Sequence, residues 1–344
     1  MDLQMNIMQP LYGGLDLHGN NVFCSLVDTA RKIVAEIRLP NDIARIREWL
    51  NPYKARLSSL AVESTYNWYW LVDGLSEEGF DVRLANPAKM EENIGLKDAN
   101  DKTDARFLAR QLSFGILPEG YIYPKEARGV RDKMRQRLRM VQCRTAELLS
   151  LEGLVARHTG RHLNAKGLGG DEVSAVLEGH PEAANMAART LRHVEFLDAE
   201  IKALGKEILE ELPGRQDYEL LMTMPGVGFV LARTILLETG DIGRFQKAGN
   251  YASYCRAVKS SHTSNGKKKG DGNPRNGNRY LAWAFVEAAN FARRASPEIN
   301  AWAQRKEARS GKHVIAVKAL ANKLAKAAYF IMKNKEPFDL KRIL

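Results

Sequence analysis

Leu11–His18, Val22–Asp28 and Lys32–Arg38 are three strand-length runs parted by only three residues each, Gly19-Asn20-Asn21 and Thr29-Ala30-Arg31. Connections this short join strands only as antiparallel neighbours, because a parallel pair needs a crossover of a dozen residues or more. Asn41–Leu50 then has helical periodicity, with Asn41 as its cap and Ile43, Ile46, Trp49 and Leu50 on its apolar side. Leu57–Glu63 reads as a strand, Tyr66–Glu78 as a helix, Phe80–Leu84 as a strand and Asp101–Phe114 as a helix. The order β-β-β-α-β-α-β-α predicts a mixed sheet covered by helices, an α/β domain over residues 11–115.

Residues 125–212 change character. Met134, Val141, Leu148 and Val155 recur every seven residues, and so do Val194, Ile201 and Ile208, on either side of the Gly-rich stretch Lys166-Gly167-Leu168-Gly169-Gly170. Such heptads predict two long helices forming a coiled-coil region, paired either within one subunit or between two. The last domain, 216–340, reads as all-α apart from a polar loop at 259–277, KSSHTSNGKKKGDGNPRNG, too rich in Lys, Gly, Asn and Ser to bury itself.

Charge is divided as sharply as pattern. Residues 1–115 carry 13 basic and 16 acidic side chains, whereas the last 101 carry 22 and six, so that segment alone exceeds the chain's net +11. A basic field of that density calls for a polyanion such as nucleic acid. Cys24, Cys143 and Cys255 are odd in number and far apart, giving neither a disulfide framework nor a zinc motif; each is expected to be a small buried apolar residue in a reducing cytosol. The N-terminus lacks a signal-peptide pattern, and the apolar stretch at 313–332 is broken by Lys318, Lys323 and Lys326. A bacterial cytoplasmic protein with no membrane partner is the expectation.

Three motifs carry chemistry. Asp16 falls near the end of the first strand, Glu63 closes the fourth, and Asp101 and Asp104 share one face of the helix they open. If the first and fourth strands are neighbours, these four carboxylates converge and repel one another, a cost that divalent cations remove. Mg²⁺ suits such oxygen donors together with a phosphate, and paired ions can clamp an in-line phosphoryl displacement. Met224-Pro225-Gly226-Val227-Gly228 has the look of a helix-hairpin-helix turn, with Gly226 and Gly228 offering backbone N–H groups to a DNA phosphate. In the polar loop, Ser260, Ser261 and Ser264 precede Lys267, Lys268 and Lys269, and Arg275, Asn278 and Arg279 follow. These cations and Asn278 are candidate nucleic-acid contacts, and a serine beside them is a nucleophile only where its alkoxide is stabilised.

Taken together, Asp16, Glu63 and Asp101-x-x-Asp104-Ala105-Arg106 resemble the DEDD catalytic domain of bacterial insertion-sequence transposases. Met224–Gly228, Phe245, Ala252-Ser253-Tyr254, Ser264 and Gly277-Asn278-Arg279-Tyr280-Leu281 follow that family's C-terminal order. The resemblance spans about residues 11–340. It implies a RuvC-like, RNase H-type domain, a coiled-coil linker and a helical transposase domain with a serine nucleophile matching Ser264. It also implies guidance by a structured bridge RNA, and dimers assembling into tetramers in which the serine of one subunit meets the acidic site of another. Two departures mark a divergent subgroup: Asn265 separates the serine from Gly266, and Arg256-Ala257-Val258-Lys259 stands where many members have Gly-Leu-x-Pro, which leaves Ser261 as the alternative nucleophile.

The expected function is therefore a transposase or recombinase that cuts and rejoins DNA with a Mg²⁺-binding site at Asp16, Glu63, Asp101 and Asp104. The rival is a structure-specific nuclease resembling a Holliday-junction resolvase, which uses the same carboxylates with water as nucleophile.

Overall fold

The computed structural model describes residues 9–90, 101–163, 169–211, 216–258, 262–264, 267–270 and 276–342. The chain divides into two compact units, Met1–Lys125 and Glu126–Leu344.

In the first unit β1 (Leu11–Leu17), β2 (Asn21–Val27) and β3 (Ile33–Pro40) form the antiparallel meander that the three-residue connections require. After α1 (Ile43–Leu50), β4 (Leu57–Glu63) pairs parallel to β1. After α2 (Tyr69–Glu77), β5 (Val82–Ala85) pairs parallel to β4, and α3 (Asp101–Ser113) follows. The sheet order is β3-β2-β1-β4-β5. The helix expected to be capped by Asn41 starts a residue later than read: Asp42 accepts from the amides of Ala44 and Arg45, while the Asn41 side chain donates to the His18 carbonyl.

Strand alternation sorts the two faces. Leu15, Leu17, Val22, Cys24, Leu26, Leu60 and Val62 are buried with Ile46 and Leu50 of α1 and Leu71, Val72 and Leu75 of α2. The opposite face, with Ala61, packs under Leu108 and Leu112 of α3. Gly14 lies on that face. A Cβ there would collide with the carbonyl oxygen of Ala105 and come within 2.6 Å of the Ala109 amide nitrogen, so α3 rests directly on the backbone of β1. Arg106 locks the crossing, its Nε and Nη2 each 2.6 Å from the Glu36 carboxylate on β3, which Ser25 also meets at 2.9 Å.

The second unit opens with α4 (Lys125–Thr159), α5 (Gly170–Val176) and α6 (Pro181–Glu211). α4 and α6 run antiparallel within the one chain, joined by Lys133 to Glu207 and Glu211, Arg144 to Asp198, and Glu147 to His193. Of the heptad residues, Met134, Val155, Val194, Ile201 and Ile208 are buried, as are Leu138 and Leu197 between them, while Val141 and Leu148 are half-buried. Cys143 on α4 is exposed, unlike the other two cysteines; it lies in the same thinly covered middle of the hairpin.

α7 (Gln216–Met222), α8 (Phe229–Thr239), α9 (Ala248–Tyr254), α10 (Arg279–Ala295), α11 (Pro297–Ser310) and α12 (His313–Asn334) enclose one core around Tyr251, Phe285, Leu320, Leu324 and Tyr329. The segment read as loop contains two short antiparallel strands, β6 (His262–Ser264) and β7 (Lys267–Gly270). The dipeptide between them, Asn265-Gly266, is a strong hairpin signal that the polar composition obscured. Among the described residues no helix is long and apolar enough to cross a membrane.

Replacing Gly14 by Ala is expected to cost about 3 kcal/mol, the upper end for overpacking a core, and to weaken divalent-cation binding, because α3 must lift off β1. Urea unfolding checks the first effect; a loss below about 1 kcal/mol would mean that α3 yields freely.

Candidate functional site

The register Leu15↔Val62 carries the ends of β1 and β4 side by side, with Asp16 and Glu63 on the face beneath α3. α3 supplies Asp101 and Asp104 from its first turn. The four expected carboxylates are thus brought to one end of the sheet, where Asp16 and Asp101 close together with His18, and Glu63 and Asp104 stand beside them on β4 and α3.

Asp16 is only 3% exposed. Burial raises its pKa; His18 opposes the rise, and the charges of Asp104 and Asp101 add to it. Glu63 is pushed up to about 7, first by burial, then by the charge of Asp16 and a hydrogen bond with it, then by Asp104. Asp104 is raised by burial and by Asp101. Burial pushes Asp101 upward too, but the hydrogen bond from Arg38 and the charge of His18 outweigh it and hold the group below the usual range.

His18 is the residue that sequence reading passed over. Its Nε2 lies 3.0 Å from Asp16 Oδ2 and 3.2 Å from Asp101 Oδ1. Its backbone is fixed by Asn41 and Asn67, whose side-chain amides both donate to its carbonyl at 3.0 Å. The signal was present in Asp16-Leu17-His18, since positions two apart on a strand share a face. Arg38, the other unforeseen member, reaches Asp101 Oδ2 at 2.6 Å from β3.

A divalent cation fits these donors. Asp16 Oδ2 and His18 Nε2 are buried and face each other as an ion pair at 3.0 Å, with no well-aligned hydrogen bond to either atom. One atom each from Asp16, His18 and Asp101 lies within 4.8 Å of the others. Carboxylate oxygens dominate the set, as a hard cation requires, and the Arg38 guanidinium already stands as a cation on Asp101.

The phosphate-binding candidates are placed very differently from one another. Gly226 has φ +82° and is seated on α10, where a Cβ would come within 2.5 Å of the Ala288 carbonyl oxygen. It therefore serves packing of the turn. Gly228 is exposed, with open space where its Cβ would be, at the start of α8. Asn278 is a correction: its side chain is buried, caps α10 through the amides of Tyr280 and Leu281, and donates to Glu238 at 2.7 Å. Glu238, 2% exposed, also takes Arg131 at 3.2 Å and Arg135 at 2.5 and 2.9 Å, which ties α4, α8 and α10 together. Arg279 is exposed beside Tyr280, and Lys267 is exposed on β7. Ser264 ends β6 with its backbone directly across from Lys267. Lys268 and Lys269 follow on β7, and Ser261 and Arg275 lie outside the described residues.

A mixed five-stranded sheet of this order, with carboxylates gathered where β1, β4 and α3 meet, defines an acidic α/β domain that could hold a divalent cation and is consistent with an RNase H-like fold. Residues 13–159 match the family model of the IS110-type DEDD transposases, and residues 218–304 match the "Transposase IS116/IS110/IS902 family". The chain is 22% identical over 283 residues to the transposase for insertion sequence element IS1111A of Coxiella burnetii, covering 79% of this chain and 76% of that protein. It is 24% identical to a putative transposase of Sinorhizobium fredii, over 81% of this chain and 73% of the relative. A 30% match to the IS110 43.6 kDa protein of Streptomyces coelicolor covers 39% of this chain and 33% of that one. The chain belongs to the IS110-type family of DEDD insertion-sequence transposases, enzymes of DNA transposition whose acidic domain implies use of a divalent metal.

Glu63 holds its proton more tightly in the folded chain than in the unfolded one, where 4.5 applies. Its contribution to stability is therefore complete below pH 4.5 and is lost as the pH climbs through 7. Without metal, the acidic unit should become less stable between pH 5 and pH 8. A divalent cation needs the deprotonated site, so it should raise the melting temperature more at pH 8 than at pH 5, by the equivalent of about 2.7 kcal/mol at a hundredfold excess over Kd. Equal shifts at the two pH values would contradict the assignment.

Proposed function

We propose that this chain cuts and rejoins DNA at insertion-sequence ends and target under the guidance of a bridge RNA. In this reading Asp16, Glu63, Asp101 and Asp104 hold Mg²⁺, with His18 beside them, and Ser264 is the nucleophile. The observation that carries it is Asp16: a buried carboxylate faced by His18 alone among the described cationic residues, beside Glu63 and with the charges of Asp104 and Asp101 raising the cost of its own. That arrangement is costly unless a cation is part of the working site. A bound divalent cation would supply charge stabilisation for the phosphate under attack.

The chain's own residues do the rest. Ser264 Oγ forms a bond to phosphorus as the bond from phosphorus to one deoxyribose oxygen breaks, and the serine proton passes to a base of the acidic cluster, His18 or Glu63. The resulting phosphoserine keeps the phosphodiester's energy, so a second sugar hydroxyl can displace the serine without ATP. Lys267, opposite Ser264 in the hairpin register, belongs to the charge that neutralises the phosphate, together with Lys268, Lys269, Arg275 and Arg279. Six acidic residues against 22 basic ones in the last 101 support DNA-backbone binding by this segment. A homodimer assembling to a tetramer would bring serine and acidic site together from different subunits.

Denaturing gels on cleavage reactions test the chemistry. Wild-type protein should leave a covalent protein–DNA adduct, Ser264→Ala should abolish it with strand exchange falling at least about a thousandfold, and Ser261→Ala should retain both. Cutting by Ser264→Ala, with no adduct from the wild type, would instead establish the hydrolytic nuclease resembling a Holliday-junction resolvase. Sequencing the RNA that copurifies tests the guide: a structured species complementary to donor and target is expected, and its absence from an active preparation would refute guidance.

A further inference from the structure

Gly228, the N-cap residue of α8, is exposed and has no side chain to offer, so the first-turn amides of α8 have no side-chain capping acceptor. Directly behind that turn sits a buried cation. Arg233 is 7% exposed, and its Nε and Nη1 are buried with no hydrogen-bond partner. Helical side chains lean toward the N-terminus. In keeping with this, the guanidinium carbon lies 3.6 Å from the centre of the Phe229 ring, at the first residue of α8, and 4.7 Å from that of Tyr218 on α7. Its neighbours are two aromatic rings, and no carboxylate among the described residues pairs with it or contributes to its titration, which burial depresses.

An arginine cannot shed its proton in a protein, so the charge stays and its desolvation is only partly offset by the ring faces. This differs from Arg131 and Arg135 of the same unit, which both pair with the buried Glu238 carboxylate. Two independent features, an open helix N-terminus and an uncompensated cation one turn beneath it, therefore call for the same ligand, an oxyanion. Gly226, seated on α10, holds the turn so that this end of α8 has a fixed position. The charge of the C-terminal segment selects which oxyanion: a nucleic-acid phosphodiester.

We infer that the first turn of α8 binds a backbone phosphate of nucleic acid, with Arg233 as the buried counter-charge. The amides hold the phosphate oxygens, and the guanidinium acts through the low-dielectric space between α7 and α8, where its field is weakly screened. The contact carries no base information, so it positions the nucleic acid without selecting a sequence. The site also makes a trade: the free protein carries an unneutralised charge that binding relieves. The inference rests on the reading that the chain acts on nucleic acid, and it adds a residue that neither the turn motif nor the basic loop contains.

The test uses the full chain with a 20-base-pair DNA duplex and, in parallel, an RNA hairpin of similar length, measuring binding by fluorescence anisotropy from about 50 to 200 mM salt. Arg233→Met should lower the slope of log K against log salt by about one and weaken binding about tenfold at low salt, equally for unrelated sequences. Arg233→Lys should keep the wild-type slope. Arg233→Met should also melt at a higher temperature than the wild type in the absence of nucleic acid, because a buried unpaired charge has been replaced by an apolar side chain. Arg233→Gln is run alongside, so that the result does not depend on how one side chain packs. A reduced slope on either nucleic acid supports the site and identifies its ligand. Unchanged slopes on both, with a lower melting temperature for Arg233→Met, would show that Arg233 is only an aromatic clamp between the two helices. If the wild-type protein binds neither nucleic acid, the site and the functional reading fall together; if it binds and the slopes do not move, the site alone falls.

Discussion

The contact between α3 and the backbone of β1 at Gly14 decides what this protein can be. With no side chain in the way, the helix settles onto the strand, and its first turn arrives over Asp16. The bidentate grip of Arg106 on Glu36 ties the helix to the edge strand β3 on the same face of the sheet. Asp101 and Asp104 then have no freedom to relax away from Asp16 and Glu63. Concentrated negative charge follows from packing, and the cost of that charge is what a cation would relieve.

The second unit handles charge in the opposite way. Glu238 is buried as deeply as Asp16, yet it lies against Arg131, Arg135 and Asn278, and its pKa is held below the usual range even though burial alone would raise it. That network is complete in itself and joins three helices. The acidic cluster of the first unit is incomplete: Arg38 and His18 offset only part of its charge. One buried carboxylate is a structural tie and the other belongs to a cluster that could hold a cation, and only their neighbours distinguish them.

Much of this was legible in the sequence, for local reasons. Three-residue connections forced the meander, the β-α-β-α-β-α order that followed gave the parallel strands, and carboxylates at strand and helix ends marked Asp16, Glu63, Asp101 and Asp104. What was missed depends on contacts across long separations. Arg38 finds Asp101 from 63 positions away, and Asn278 is drawn inward by a carboxylate 40 residues earlier, so neither could be placed by spacing. His18 was within reach, two residues from Asp16 on the same strand face, as was the Asn265-Gly266 hairpin signal hidden in a polar stretch. Gly226 was read as a phosphate contact of the turn; its role in seating that turn on α10 required the fold.

The central claim is that the end of the sheet beneath α3 is a divalent-cation site. Replacing Mg²⁺ by Fe²⁺ in the presence of ascorbate and peroxide generates hydroxyl radicals at a bound metal, and the resulting backbone cuts can be mapped by mass spectrometry. The account predicts cuts clustered at residues 16–18, at 63 and at 101–104, suppressed by excess Mg²⁺ and lost in Asp16→Asn. Cuts confined to other parts of the chain, or a pattern indifferent to Mg²⁺ and to Asp16, would contradict it.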